Sequence, residues 1–153
     1  MAKNNIGATV AIATESDGTT PDPQSADLTA STFAALSYTT VPNVITVGDT
    51  GMDQNFITTG TWDNRVAAQD KGQATGKTAD IVILDEASNG RTAMDAAGDI
   101  TDNNAFAFKI TYSDGSIEYN RMKVGAPGYG KGGNEDVPTI TYPTVAVQEP
   151  VFA

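Results

Sequence analysis

The segment Gly72-Gln-Ala-Thr-Gly76-Lys77-Thr78 brings together the residue types of a phosphate-binding loop: two glycines, a lysine and a hydroxyl. Its spacing does not suit that chemistry. Such a loop needs four residues between its glycines, a strand before it and a helix after it, so that backbone N–H groups aim at phosphate. Here three residues separate the glycines and an apolar run follows, so the segment reads as an ordinary turn. Asp99-x-Thr101-Asp102-Asn103-Asn104 has oxygen ligands at the intervals of a calcium loop, without the glycine at its sixth position or the glutamate at its twelfth. It reads as a link between helix and strand. The adjacent acids Asp85/Glu86 and Glu135/Asp136 could serve acid–base work, but paired acids in loops are ordinarily solvated charge. No helix follows Gly125–Gly133, GAPGYGKGG, which reads as a flexible connection.

Composition removes most of the remaining chemistry. The chain has neither cysteine nor histidine, which excludes thiol catalysis, disulfides, the usual partner of a serine nucleophile and the commonest transition-metal ligands. No motif assembles a nucleophile, a base and an oxyanion hole, and only a catalytic site built from carboxylates would make the chain an enzyme. The expectation is therefore a protein that is not an enzyme, with no cofactor, no metal site and no catalytic residue. At 153 residues one domain, 1–153, can bury about 70% of the surface its unfolded chain exposes and needs no staple. No apolar run approaches a membrane span, and Met1–Asn5 lacks the pattern of a signal peptide. The sequence thus predicts a soluble chain, made in the cytoplasm, without membrane insertion. Net charge is −10, and between Asn4 and Asn64 there are seven carboxylates and no Lys or Arg. Such a surface repels nucleic acid. Its acids either keep loops soluble or line a surface past which DNA slides without sticking.

The elements that position these residues are mainly strands. Asn104–Val124 is the clearest. Phe106, Phe108, Ile110 and Tyr112 alternate along one face, and Asp114-Gly115 suits a two-residue turn. That turn would set Tyr112 opposite Ile117, Ile110 opposite Tyr119 and Thr111 opposite Glu118. Continued in register, it would also drive Arg121 and Lys123 into the core, so a bulge near Asn120 is expected to return Met122 and Val124 inward. Earlier in the chain, after an N-terminal arm (1–6), Gly7–Thr14 suits a buried strand and Glu15–Ala26 a loop. Thr29 can cap a short helix over 30–36, with Phe33 and Leu36 on one side. Ser37–Val47 reads as an edge strand, or as two short strands around a bend at Pro42-Asn43.

Gly48–Asn64 has no clean period yet carries Met52, Phe56, Ile57 and Trp62. It is predicted to be a long irregular loop that packs on a neighbouring subunit. A short strand is expected over 65–71, and Asp80–Leu84 reads as a strand buried on both faces or at a subunit contact. Ser88 or Asn89 opens a helix to Ala97 that Gly98 ends. Val137–Val147, with Pro138 and Pro143, is expected at an edge. A small apolar tail, 148–153, ends in Val151-Phe152. Its candidate contact residues join those of the loop: Met52, Phe56, Ile57, Trp62, Val151 and Phe152.

In order, these pieces resemble the major tail tube proteins of long, non-contractile-tailed bacteriophages. The likeness rests on the opening Gly7-Ala-Thr-Val-Ala-Ile-Ala, on Leu28–Tyr38 running into Val41–Gly48, and on the aromatic-bearing loop. It continues through the Ile81–Leu84 strand with its alanine-rich helix, and above all Ala105–Tyr119. The resemblance implies a mainly β fold, an antiparallel β-sandwich or distorted barrel with one or two short flanking helices. It further implies hexameric rings that stack into a virion tail tube, through which double-stranded DNA passes without specific binding. Tail tip, tail terminator and tape-measure proteins would be its other partners. Candidate lumen or surface acids are Glu15, Asp17, Asp22, Asp49, Asp53, Asp63 and Glu118. A capsid decoration protein or an immunoglobulin-like virion surface module is the alternative.

Overall fold

The computed structural model describes residues 6–13 and 27–153. The expected loop over 15–26, with Glu15, Asp17 and Asp22, and nearly all of the N-terminal arm lie outside the described residues. The described chain begins with β1 (Thr9–Ala13), α1 (Ala30–Ala35), β2 (Thr39–Val41), β3 (Val44–Val47), β4 (Met52–Thr59) and β5 (Ala68–Gly76). It continues with β6 (Thr78–Leu84), α2 (Asn89–Ala97), β7 (Ala105–Thr111), β8 (Ile117–Val124), β9 (Gly128–Gly130), β10 (Thr139–Ala146) and β11 (Val151–Phe152). The fold is mainly β, with two short helices against one large antiparallel sheet.

That sheet has nine strands in the order β2-β1-β7-β8-β10-β6-β3, with β11 beside β8 and β9 beside β10. Its two ends, β2 and β3, are neighbours in sequence, joined only by Pro42-Asn43. A flat sheet of seven strands at about 4.8 Å spacing would hold its edges roughly 29 Å apart. A two-residue link spans at most about 11 Å. The sheet must therefore curl until its edges nearly meet. Asn43 makes the corner in left-handed backbone, φ 59, a conformation Asn tolerates better than most residues. No ladder joins β2 to β3, so the curled sheet stays open at a seam and is not closed into a barrel.

The alternation of β1, β6, β7, β8 and β10 fills the inside with Val10, Ile12, Ile81, Ile83, Phe106, Phe108, Met122, Ile140 and Tyr142. The α2 helix, capped by Ser88 Oγ accepting from the Arg91 N–H at 3.1 Å, adds Met94 and Ala97 to this core. It lies so close to β2 that a Cβ on Gly90 would come within 2.3 Å of the Thr40 carbonyl oxygen. On the sheet's other face α1 supplies Phe33 and the following Leu36, with Ala13, Leu28 and Ala107. The Phe33 ring stacks on Tyr119 at 5.2 Å between centroids.

The hairpin of β7 and β8 forms where expected, with a different register. Ser113-Asp114-Gly115 is a three-residue connection: the Tyr112 N–H donates to the Ser116 carbonyl at 2.9 Å, and Gly115 takes positive φ. Asp114 Oδ1 accepts from both the N–H and the hydroxyl of Ser116. The added residue sets Ile110 opposite Glu118, Phe108 opposite Asn120 and Phe106 opposite Met122. The ladder then runs unbroken to Lys123, and the bulge near Asn120 is absent. Met122 and Val124 do point inward and Arg121 and Lys123 outward, because the parity change is made in the turn. A one-residue slip flips every side chain of a strand, so Tyr119 moves to the outer face and Glu118 and Asn120 move inside.

Two further expectations are corrected, and for β6 the first of two alternatives, burial on both faces, falls. β10 is no edge: it pairs with β6 along one side, and with β9 and β8 along the other. Pro143 falls between the stretches paired with β9 and β8, while its carbonyl accepts from the Gly125 N–H at 2.7 Å. A missing N–H costs little in that gap. Within the glycine-rich link, residues 128–130 form β9 rather than a flexible connection. β6 buries Ala79, Ile81 and Ile83 but exposes Asp80 and leaves Val82 and Leu84 half-buried, so one of its faces is only partly covered.

Candidate assembly surfaces

Gly48–Asn64 is not an irregular loop. Met52–Thr59 forms a regular strand paired with Ala68–Gly76, a two-stranded sheet separate from the main one. The ladder extends through Gly76, so Gly72–Gly76 is strand rather than turn, and its extended backbone cannot cradle a phosphate. Eight residues at about 3.3 Å each give an arm roughly 26 Å long. Phe56 and Ile57 are successive residues and project from opposite faces; they are 64% and 56% exposed, and Trp62 beyond them is fully exposed. An isolated two-stranded hairpin is at best marginally stable in water.

The root of the arm is firmly seated. The Lys77 N–H donates to the Gly51 carbonyl at 3.0 Å, and Lys77 Nζ pairs with Asp53 at 2.9 Å. A Cβ on Gly76 would overlap the Ala146 carbonyl oxygen, so only glycine permits this approach of arm to β10. Of the six candidate contact residues, Met52 packs against the core at the root, while Phe56, Ile57 and Trp62 lie out along the arm. Val151 packs beside the outer-face cluster. Phe152 is exposed, although β11 is held on β8 by a pair of hydrogen bonds between Ala153 and Ile117.

The described acids do not form one surface. Asp49 and Asp53 are exposed near the root and Asp63 is exposed at the tip. Glu118, expected at the surface, is 4% exposed, because the three-residue turn carries it to the inner face. Thr50 Oγ1 donates to its Oε1 at 2.6 Å and the Tyr112 hydroxyl donates to its Oε2 at 2.8 Å. Burial first, then the bond to Glu118 and its negative charge, push the Tyr112 phenol up to about 12. Glu118 thereby ties the loop that leads into β4 to the main sheet.

The motifs with possible chemistry are engaged in local structure. Asp99 Oδ1 accepts from the N–H and hydroxyl of Thr101, bonds that hold its carboxyl below the usual range. Asp85 pairs with Arg91 and Glu86 accepts from Asn43. Asp136 accepts from the Gly133 N–H. Among the described residues no group of three or more metal-ligating side chains comes together.

Two grooves flank the arm's root. One, of about 740 Å³, runs along the seam between β3 and the ends of β1, β7 and β8, with Glu118 among its lining residues. The other, of about 390 Å³, lies between the 99–103 loop, residues 123–126 and Pro143–Val145. Ile100 at its rim is 87% exposed. Pattern reading passed over this second groove; its one signal was a lone isoleucine in the otherwise polar run from Gly98 to Asn104.

No protein-family model and no curated protein matches the sequence. Solved structures do match, over nearly the whole chain. A chain from the tail of an empty gene transfer agent particle, determined with C6 symmetry, superposes with a TM-score of 0.65 at 9% identity, over 99% of each chain. The chain has the fold of tail tube proteins. A chain of the SPP1 tail tube gives a TM-score of 0.58 at 10% identity, over 95% of this chain and 75% of that one. A chain of the anti-feeding prophage baseplate gives 0.63 at 8% identity, over 100% and 95%. The tail-tube fold recurs here at identities where little beyond pattern and topology is shared.

Proposed function

We propose that this chain is a structural virion protein that assembles with copies of itself into stacked hexameric rings, forming a tail tube that conducts DNA during ejection. The observation that carries the reading is a fold shared end to end with a chain of a tail determined with C6 symmetry. The molecule's physics supports it. An arm with apolar groups on both faces and at its tip is stabilised only when covered on both sides, as it is when held between neighbours. The free edges of β2 and β3 also gain partners in a closed ring.

The acids suit a passage for DNA, which bears one charge per roughly 1.7 Å. Screening over about 8 Å at physiological salt confines the repulsion to near contact, so acids facing the lumen keep the duplex off the wall without stopping it. A tube of this kind also needs proteins at its two ends and one that sets its length. These are the tail tip, terminator and tape-measure partners of this reading, and the virion tail is its location. No catalytic role is assigned.

Electron microscopy of the purified chain at high concentration tests the proposal. Hollow tubes with six-fold end views are expected. Persistent monomers or trimers would overturn it and favour a capsid decoration or surface module with the same strands.

A further inference from the structure

We infer that the groove between the 99–103 loop, residues 123–126 and Pro143–Val145 is the receptor for the arm tip of a second copy of this chain, with Trp62 as the inserted side chain. The inference rests on the assembly proposed above and adds which surfaces meet. Both surfaces are apolar and open: Trp62 and Val66 are fully or largely exposed at the tip, and Ile100 and Val145 are exposed at the groove. A volume of about 390 Å³ suits one large side chain rather than a strand pair, and tryptophan is the side chain that gains most from such a pocket.

The charges also match. Arg65 at the tip makes no ion pair among the described residues, and neither do Asp99 and Asp102 at the groove. Those two carboxylates accept only local bonds from Thr101 and Asn104. The tip's other charge, Asp63, finds its complement in Lys123, which lines the same groove and donates to Asn103 at 3.2 Å. Each charge that flanks Trp62 thus has an opposite charge beside the pocket.

The contact must lie between copies. Thr78, just past the arm's root, lines the groove and pairs with Val145, and Gly76 packs on Ala146. The arm therefore leaves the body beside its own groove, and its length carries Trp62 roughly 26 Å away from it. A tip in the groove of another copy is a heterologous contact, the kind that builds rings or helical stacks.

Because the chain contains no cysteine, disulfide trapping is clean. Thr61 at the tip and Ala126 at the groove are both exposed, so Thr61→Cys and Ala126→Cys are introduced in separate chains, mixed under assembly conditions and oxidised. The mixture should form the mixed disulfide dimer at least about tenfold faster than either chain alone forms its homodimer, the gain expected from a high effective concentration in the assembly. If microscopy shows tubes but no such excess, the receptor assignment falls while the tube reading stands. If the unsubstituted chain fails to assemble, both fall.

Discussion

Glu118 is the residue on which two parts of the molecule converge, since its carboxylate accepts from Thr50 ahead of the arm and from Tyr112 at the end of the β7–β8 hairpin. Its bond to Tyr112 has a titratable consequence. The phenol's ordinary value is 10.0 and the fold raises it to about 12, so between these values the native state holds a proton that the unfolded chain has lost. Stability from this site is complete below pH 10 and falls as pH rises toward about 12. Urea melts of Tyr112→Phe should therefore show a shallower loss over that interval. The loss should not vanish, because Tyr142, buried and bonded to Asp95, is shifted in the same direction. Asn120 presents the opposite case. It is fully buried, and neither atom of its amide has a hydrogen-bond partner, a deficit of about 1–3 kcal/mol per unmet group. Asn120→Leu, of similar size, should raise the denaturation midpoint; a lowered midpoint would mean that the amide is satisfied in solution. Neither residue could be read from sequence, since both face inward only because the turn has three residues, and Asp-Gly occurs in turns of either length.

At the scale of elements, the arm carries the largest difference between pattern and structure. Alternation is visible in a sequence only when one face of a strand is buried. β4 and β5 are exposed on both faces, so they lack that signal: β4 looks like loop and β5 reads as strand only as far as Lys71, although the apolar residues that mark Gly48–Asn64 as an interaction segment are plain. What is legible has its own physical reason: α1 and α2 bury one side, and β1 and β7, although buried on both faces, set large residues on one face (Val10, Ile12; Phe106, Phe108) against small ones on the other (Ala11, Ala13; Ala105, Ala107), so pattern places all four to within a residue or two. β10 misled because its prolines imply an edge, and pattern reading cannot see that Pro143 sits between two partners. Replacing Phe56 and Trp62 with Ser should abolish assembly, read by sedimentation, and leave the circular dichroism and melting temperature of the monomer nearly unchanged. Gly76→Ala acts at the other end of the arm. The added methyl meets the backbone of β10, so the expected outcome is a loss of about 1–3 kcal/mol or more in a thermal melt.

Across the whole molecule, contacts fall into two classes of sequence separation. β1 pairs with β7 across about 100 residues, and β6 with β10 across about 60, whereas the arm pairs Thr59 with Ala68. Hydrogen exchange should reveal the contrast in the monomer as fast exchange along 52–76 and slow exchange in β7 and β8; on assembly the arm's amides should become protected. A difference in time follows as well. A hairpin zips in about 1–10 μs, while sheets built from distant segments close over milliseconds to seconds. The apolar tip is therefore ready long before the body is. Its inferred receptor draws on residues from Thr78 to Val145 and exists only once the last strands have docked. A half-folded chain could offer its tip but could not receive one, so only finished subunits would extend a growing chain of copies from both sides.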